Sequence, residues 1–199
     1  MSGRPALGDS TGGRWTASRG PRGEALALGG TPGDSHKARI AAQALDRPPG
    51  RPYIPGMTDP RSGESAAAVQ ARLAEEFQLF DDWMDRYQML IDMGKALDAL
   101  PERERRDDLK VPGCQSQVWL KSDFDGARLS LRAASDAIIT SGLIALLLQI
   151  YSGRTPREIL DTPFTLASDI GLAAHLTPGR ANGLANMVRR IREAAAAHA

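Results

Sequence analysis

Between Val69 and Ile91 the apolar side chains Val69, Leu73, Phe77, Phe80, Met84, Tyr87 and Ile91 recur at steps of three or four. That is the period of a helix face turned toward a core. Asp81-Asp82 interrupts the stretch and suits the start of a second helix, where a carboxylate meets the positive end of the helix dipole. Beyond residue 117 the period changes to two. Val118, Leu120 and Ser122 alternate with Gln117, Trp119 and Lys121, and Leu129, Leu131 and Ala133 alternate with Arg128, Ser130 and Arg132. Asp125-Gly126 falls between the two runs, and both residues tolerate the positive φ of a tight turn, so the pattern predicts an antiparallel hairpin. Leu109 to Val111 is a candidate edge strand. The charged run from Pro101 to Lys110 reads as a solvated connector.

Helical signals then return. Ser135 is placed to cap a buried helix from Asp136 to Tyr151, with Gly153 as its stop. Thr140, Ser141, Gly142 and Gln149 interrupt this most apolar stretch. It falls short of the ~20 residues a bilayer span needs, which predicts a buried helix and no membrane association. Thr155-Pro156-Arg157-Glu158 is a capping box with proline at the first helical position. Thr177-Pro178 repeats that start for a last helix, whose apolar face is Ala181, Leu184, Met187 or Val188, Ile191 and Ala195. The elements add up to an α+β fold, a small antiparallel β-sheet packed against several α-helices.

Composition divides the chain near Met57. Residues 1–56 hold 11 of the 20 glycines and 7 of the 13 prolines, with eight Lys/Arg against four Asp/Glu. Such a segment buries too little apolar surface to offset chain entropy, so 1–56 is expected to be a disordered extension and 57–199 the folded domain. Its mild basicity lacks a dense cluster or interleaved aromatics, and no nucleic-acid partner is expected. Four acids and many Gly and Pro residues fit an amphipathic transit peptide poorly, and no apolar core follows the early arginines as a secretory signal requires. An alternative is that translation starts at Met57. The expected location is the cytoplasm, where a free thiol persists.

The single cysteine, Cys114, lies in Val111-Pro112-Gly113-Cys114-Gln115-Ser116-Gln117-Val118-Trp119-Leu120. Pro112 biases Val111 toward an extended backbone and Gly113 frees the turn. One sulfur excludes an internal disulfide, a Cys-x-x-Cys redox pair and a cysteine-ligated zinc or iron–sulfur centre. Two readings remain open from these residues: a small buried hydrophobe, or a thiol displayed on a turn as a nucleophile or sulfur carrier. His175 is a candidate base, hydrogen-bonding scaffold or plain surface residue. Arg180 cannot accept a proton at neutral pH. Its place just inside a helix start opposes the dipole, which points to a task such as stabilising a thiolate or binding an acidic partner.

Several blocks in order resemble the SufE/CsdE family of sulfur acceptors. They are Arg86-Tyr87 with Leu90-Ile91 and Gly94, then Gly113 to Trp119, Ser135-Asp136-Ala137, Gly142-Leu143-Ile144, and Tyr151 with Thr155-Pro156. Gly171-Leu172, His175-Leu176-Thr177-Pro178, Arg180 and Asn182-Gly183-Leu184 complete the set. The resemblance covers roughly Phe77 to Ala196. It implies a SufE/IscU-like fold in which Cys114 takes persulfide sulfur from a SufS-like or CsdA-like cysteine desulfurase and passes it to a SufBCD-like iron–sulfur scaffold, stimulating turnover. It also implies that Gly113, Gln115, Ser116, His175 and Arg180 support Cys114 or bind the partner, and that Trp119 or Leu120 shelters the persulfide. The chain itself would hold no cofactor beyond a transient Cys114 persulfide; pyridoxal phosphate would belong to the desulfurase. The protein would then be a sulfur-transfer accessory rather than a free-standing enzyme. The competing readings are an allosteric desulfurase activator that carries no sulfur, and a Cys–His hydrolase using His175.

Overall fold

Asp125 and Gly126 do turn the chain. The Asp125 carboxylate accepts from Ala127 N at 2.9 Å and Arg128 N at 2.7 Å, while Gly126 takes φ 97°. The turn centres on Gly126-Ala127, one residue later than the Asp-Gly pair, because Asp125 N donates to Arg128 O. The computed structural model describes residues 63–199; the expected disordered extension, the Met57 start and the first residues of the expected domain lie outside them. The strands flanking the turn are β1 (Val118–Phe124) and β2 (Leu129–Ser135), paired antiparallel from Val118↔Ser135 at one end to Phe124↔Leu129 at the other. Val118, Leu120, Leu129, Leu131 and Ala133 face the core. On the opposite face Glu104 bridges Lys121 (3.0 Å) and Arg132 (2.9 Å), so the charged connector is partly anchored to the sheet. The expected edge strand reduces to one isolated bridge, Lys110 to Trp119.

The stripe from Val69 to Ile91 splits into α1 (Ala66–Gln78) and α2 (Trp83–Lys95). Asp82 caps α2 by accepting from Met84 N at 2.9 Å. The break rotates the second half of the stripe. Leu90 and Met93 are buried, whereas Met84, expected on the core face, is 70% exposed.

Helix α3 (Ile138–Tyr151) starts two residues later than expected and without a side-chain cap. Ser135 remains the last strand residue, its hydroxyl accepting from Ala137 N, and Asp136 is drawn to Gln117 N at 3.0 Å. Buried on nearly every side, α3 packs on β2 and against α1 and α2. The contact with α2 is backbone to backbone: a Cβ on Gly94 would lie 2.6 Å from Gly142 N.

Short helices α4 (Pro156–Asp161) and α5 (Leu166–Asp169) follow. Thr155 caps α4 as expected, but Glu158, the other half of that box, reaches away to Ala66 N at 2.7 Å. The last helix, α6 (Pro178–Ala196), is capped by Thr177 and buries Gly183, Leu184, Met187, Ile191 and Ala195. The α+β architecture expected from the sequence is the one observed.

Candidate functional site: the Cys114 turn

Gly113 has φ 75°, a left-handed conformation open to glycine without Cβ strain. A Cβ there would also stand 2.5 Å from the side-chain amide of Asn186, so the turn passes close over α6. Its two flanks are fixed. Val111 N donates to Val118 O at 2.9 Å on one side, and Gln117 N donates to Asp136 on the other.

Two glycines of α6 form the trough beneath. A Cβ on Gly179 would meet Gln115 Oε1 at 2.8 Å, and one on Gly183 would meet Cys114 Sγ at 3.4 Å. Residues four apart lie on one helix face, so small residues at 179 and 183 let the turn settle onto the helix.

Cys114 is half-buried. Its S–H points to Gly183 O at 3.7 Å. Beside the sulfur is a cavity of about 10 Å³ closed by Thr140 and Leu143 of α3 and by Arg180 and Met187 of α6. That volume is at the lower limit for one water. Burial pushes the Cys114 thiol up from its ordinary 9.0. The S–H contact with Gly183 O also needs the proton, so both features favour the neutral thiol. In this closed arrangement the sulfur is sheltered and poorly ionised; thiolate chemistry calls for a lifted turn or an added positive charge.

Of the expected site residues, Cys114, Gln115, Ser116 and Arg180 line one cavity, while Gly113 lies outside its lining, against Asn186. His175 is elsewhere. Its ring stacks on Trp83 at 3.6 Å and its carbonyl accepts from Tyr87 Oη at 2.5 Å. Trp119 and Leu120 do not line the cavity: Leu120 faces the core, and Trp119 lies under Arg105 and Lys110. The shelter comes from Leu143 and Met187, which sequence periodicity marks only as core. Thr140 appears in the sequence merely as a polar break in an apolar run, although its hydroxyl bonds Ser116 Oγ at 3.1 Å. The four-residue spacing of Gly179 and Gly183 is the one signal that would have pointed to the trough.

A wider apolar groove of about 420 Å³, lined by Phe164, Leu176, Leu184 and Val188, holds none of these site residues. Among the described residues no three His, Cys, Asp or Glu side chains gather to hold a metal, and no helix is long and apolar enough to cross a membrane.

The chain is 45% identical over 130 residues to an uncharacterized SufE-like protein of Rhizobium etli, covering 62% of this chain and 87% of that one. It is 41% identical over 130 residues to an uncharacterized SufE-like protein of Rhizobium meliloti, covering 62% and 92%. Its fold matches the solution structure of a hypothetical protein from Thermus thermophilus with a TM-score of 0.55 at 21% identity, covering 65% of this chain and 94% of that one. Residues 71–195, which include the whole Cys114 turn, its trough on α6 and its cover on α3, match the SufE family model, described as an Fe-S metabolism associated domain. The chain therefore belongs to the SufE family.

Proposed function

We propose that the protein is a cytoplasmic sulfur acceptor of iron–sulfur metabolism, taking sulfur onto Cys114 from a cysteine desulfurase and delivering it to an iron–sulfur scaffold. The observation that carries this reading is the lone thiol on a tight turn over a small apolar cavity, close enough to the surface to be presented and sheltered enough to be kept. In the transfer, the Cys114 thiolate attacks the terminal sulfur of the desulfurase persulfide. The new S–S bond forms on Cys114 as the old one breaks, its electron pair leaves with the desulfurase cysteine, and the proton lost from Cys114 ends on that departing thiolate. No net oxidation occurs, so a single cysteine suffices and the chain needs no cofactor of its own.

Gly113 gives the turn its shape, while Gln115 and Ser116 seat it. Arg180 supplies positive charge to the thiolate or to an acidic partner surface. His175, stacked on Trp83, serves the fold or the partner face rather than the thiol, which removes the observation a Cys–His hydrolase would need. The space beside Sγ is at the lower limit for one water, so a terminal sulfur would fill it tightly. Loading is expected to be eased when the lining yields or the turn lifts.

The test is to mix the protein with a cysteine desulfurase, cysteine and pyridoxal phosphate and to measure the intact mass. One added sulfur on the peptide containing Cys114 is expected. Cys114→Ser should keep the fold and desulfurase binding but lose both sulfur acceptance and stimulation of turnover. Full stimulation by Cys114→Ser would instead make the protein an allosteric activator.

A further inference from the structure

The turn packs closely on α6 but is held there by few hydrogen bonds. Its flanks are pinned at Val111 and Gln117. Among the described residues, 112–116 make two hydrogen bonds to the rest of the chain: the long S–H contact from Cys114 to Gly183 O (3.7 Å) and the Ser116–Thr140 hydroxyl pair (3.1 Å). The sulfur contact is weak by its length and donor type. The hydroxyl pair is of ordinary length, and Thr140 is 6% exposed on the core helix α3, so the anchor is a fixed one. Thr140 bonds the turn across 24 residues of sequence.

We propose that the Ser116–Thr140 hydrogen bond is the clasp that holds the Cys114 turn shut, making Thr140 a positioning residue that sets how often the sulfur is presented. The inference deepens the sulfur-acceptor reading and rests on it for its purpose, though not for its physics. With the clasp closed, the half-buried Sγ lies against Gly183 and beside Leu143 and Met187, which narrows a partner's approach to it. With it open, the turn can swing on its pinned flanks without disturbing β1 or α3. Part of a partner's work is then to substitute for this one bond. A neutral hydrogen bond of typical net strength shifts such an open–closed balance about fivefold.

The test is the rate at which iodoacetamide alkylates Cys114 in the full chain, well below the melting temperature. Thr140→Val keeps the volume and removes the hydroxyl; it should alkylate about fivefold faster. Thr140→Ser restores the bond and should return to the wild-type rate, which a purely packing role for the threonine would not produce. Should Thr140→Val fail to fold, Ser116→Ala breaks the same bond from the exposed side and must show the same acceleration. The double variant should be no faster than either single one, because both remove one interaction. An unchanged rate in the folded single variants overturns the clasp. Sulfur uptake from a desulfurase is measured separately: a wild-type chain that gains no sulfur refutes the acceptor reading while the alkylation ratios still judge the clasp.

Discussion

A thiol is useful as a carrier only if it can be both ionised and protected, and at Cys114 the two demands conflict. Burial raises its pKa above 9.0, and Gly183 O favours the protonated form. For a group that is neutral when protonated, a raised folded-state pKa means that the native state holds the proton more tightly than the unfolded chain. The associated stability is present below pH 9.0 and is lost as pH rises through the folded value. The pH profile of Cys114 alkylation should therefore have its midpoint above 9.0 in the folded protein and return to the ordinary thiol value in denaturant. The wild type should also lose more stability than Cys114→Ser as pH climbs past that point. A folded-state midpoint below 9.0 would mean that a nearby cation, with Arg180 the first candidate, outweighs burial; repeating the titration in Arg180→Ala would identify it.

Two approaches in the fold are unusually close, the Cys114 turn onto α6 and α2 onto α3, and glycine sets both. Gly94 and Gly142 bring α2 onto α3, and a Cβ on Gly142 would collide with the Leu90 backbone. Alanine normally stabilises a helix interior by about 1 kcal/mol over glycine. Here the backbone must move instead, and overpacking of this kind costs about 1–3 kcal/mol. Gly142→Ala should thus lower the unfolding free energy in urea, against the helix-propensity trend; a more stable variant would show that α2 and α3 separate without penalty. These approaches explain what the sequence could and could not disclose. The hairpin, the caps at Asp82, Thr155 and Thr177, and the buried face of α6 from Leu184 to Ala195 follow from local period and side-chain chemistry and were legible, whereas Ala181, expected on that face, is exposed in the first turn. Met84 was misplaced because the break at Asp81-Asp82 changes the helical phase, which a continuous count cannot register. Ser135 failed as a cap because strand pairing through Val118↔Ser135 claimed it first. The cavity beside Cys114 was hidden for a simpler reason. Leu143 and Met187 come from helices distant in sequence, and their periodicity says that they are buried, not what they cover. Gln149, buried with both amide atoms unpaired, was likewise visible only as an interruption of α3.

At the scale of the whole molecule, the chemistry and the main polar staple lie at opposite ends of the hairpin. Cys114 precedes Val118, which pairs with Ser135, whereas Arg154 bridges to Leu129 beside the far turn, a separation of about 20 Å along the strand. Arg154 is 3% exposed. Its guanidinium donates to Ile150 O at 3.3 Å and to Glu64 O, and it approaches Glu158 at 3.9 Å; Glu158 in turn accepts from Ala66 N. One side chain thereby ties the start of α1 to the end of α3 and the start of α4. Breaking a buried charged network from one side leaves its partners desolvated, a loss of about 3–5 kcal/mol. Arg154→Met retains most of the stem's packing and should lose an amount near the lower end of that range, seen as a reduced denaturant midpoint. Glu158→Gln keeps an acceptor for Ala66 N and should lose less. Because the network is remote from the Cys114 turn, Arg154→Met at a temperature where it remains folded should be alkylated at Cys114 no faster than the wild type. Faster alkylation under those conditions would mean that opening of the turn is coupled to the far end of the fold. The local clasp would then be only part of what keeps the sulfur covered.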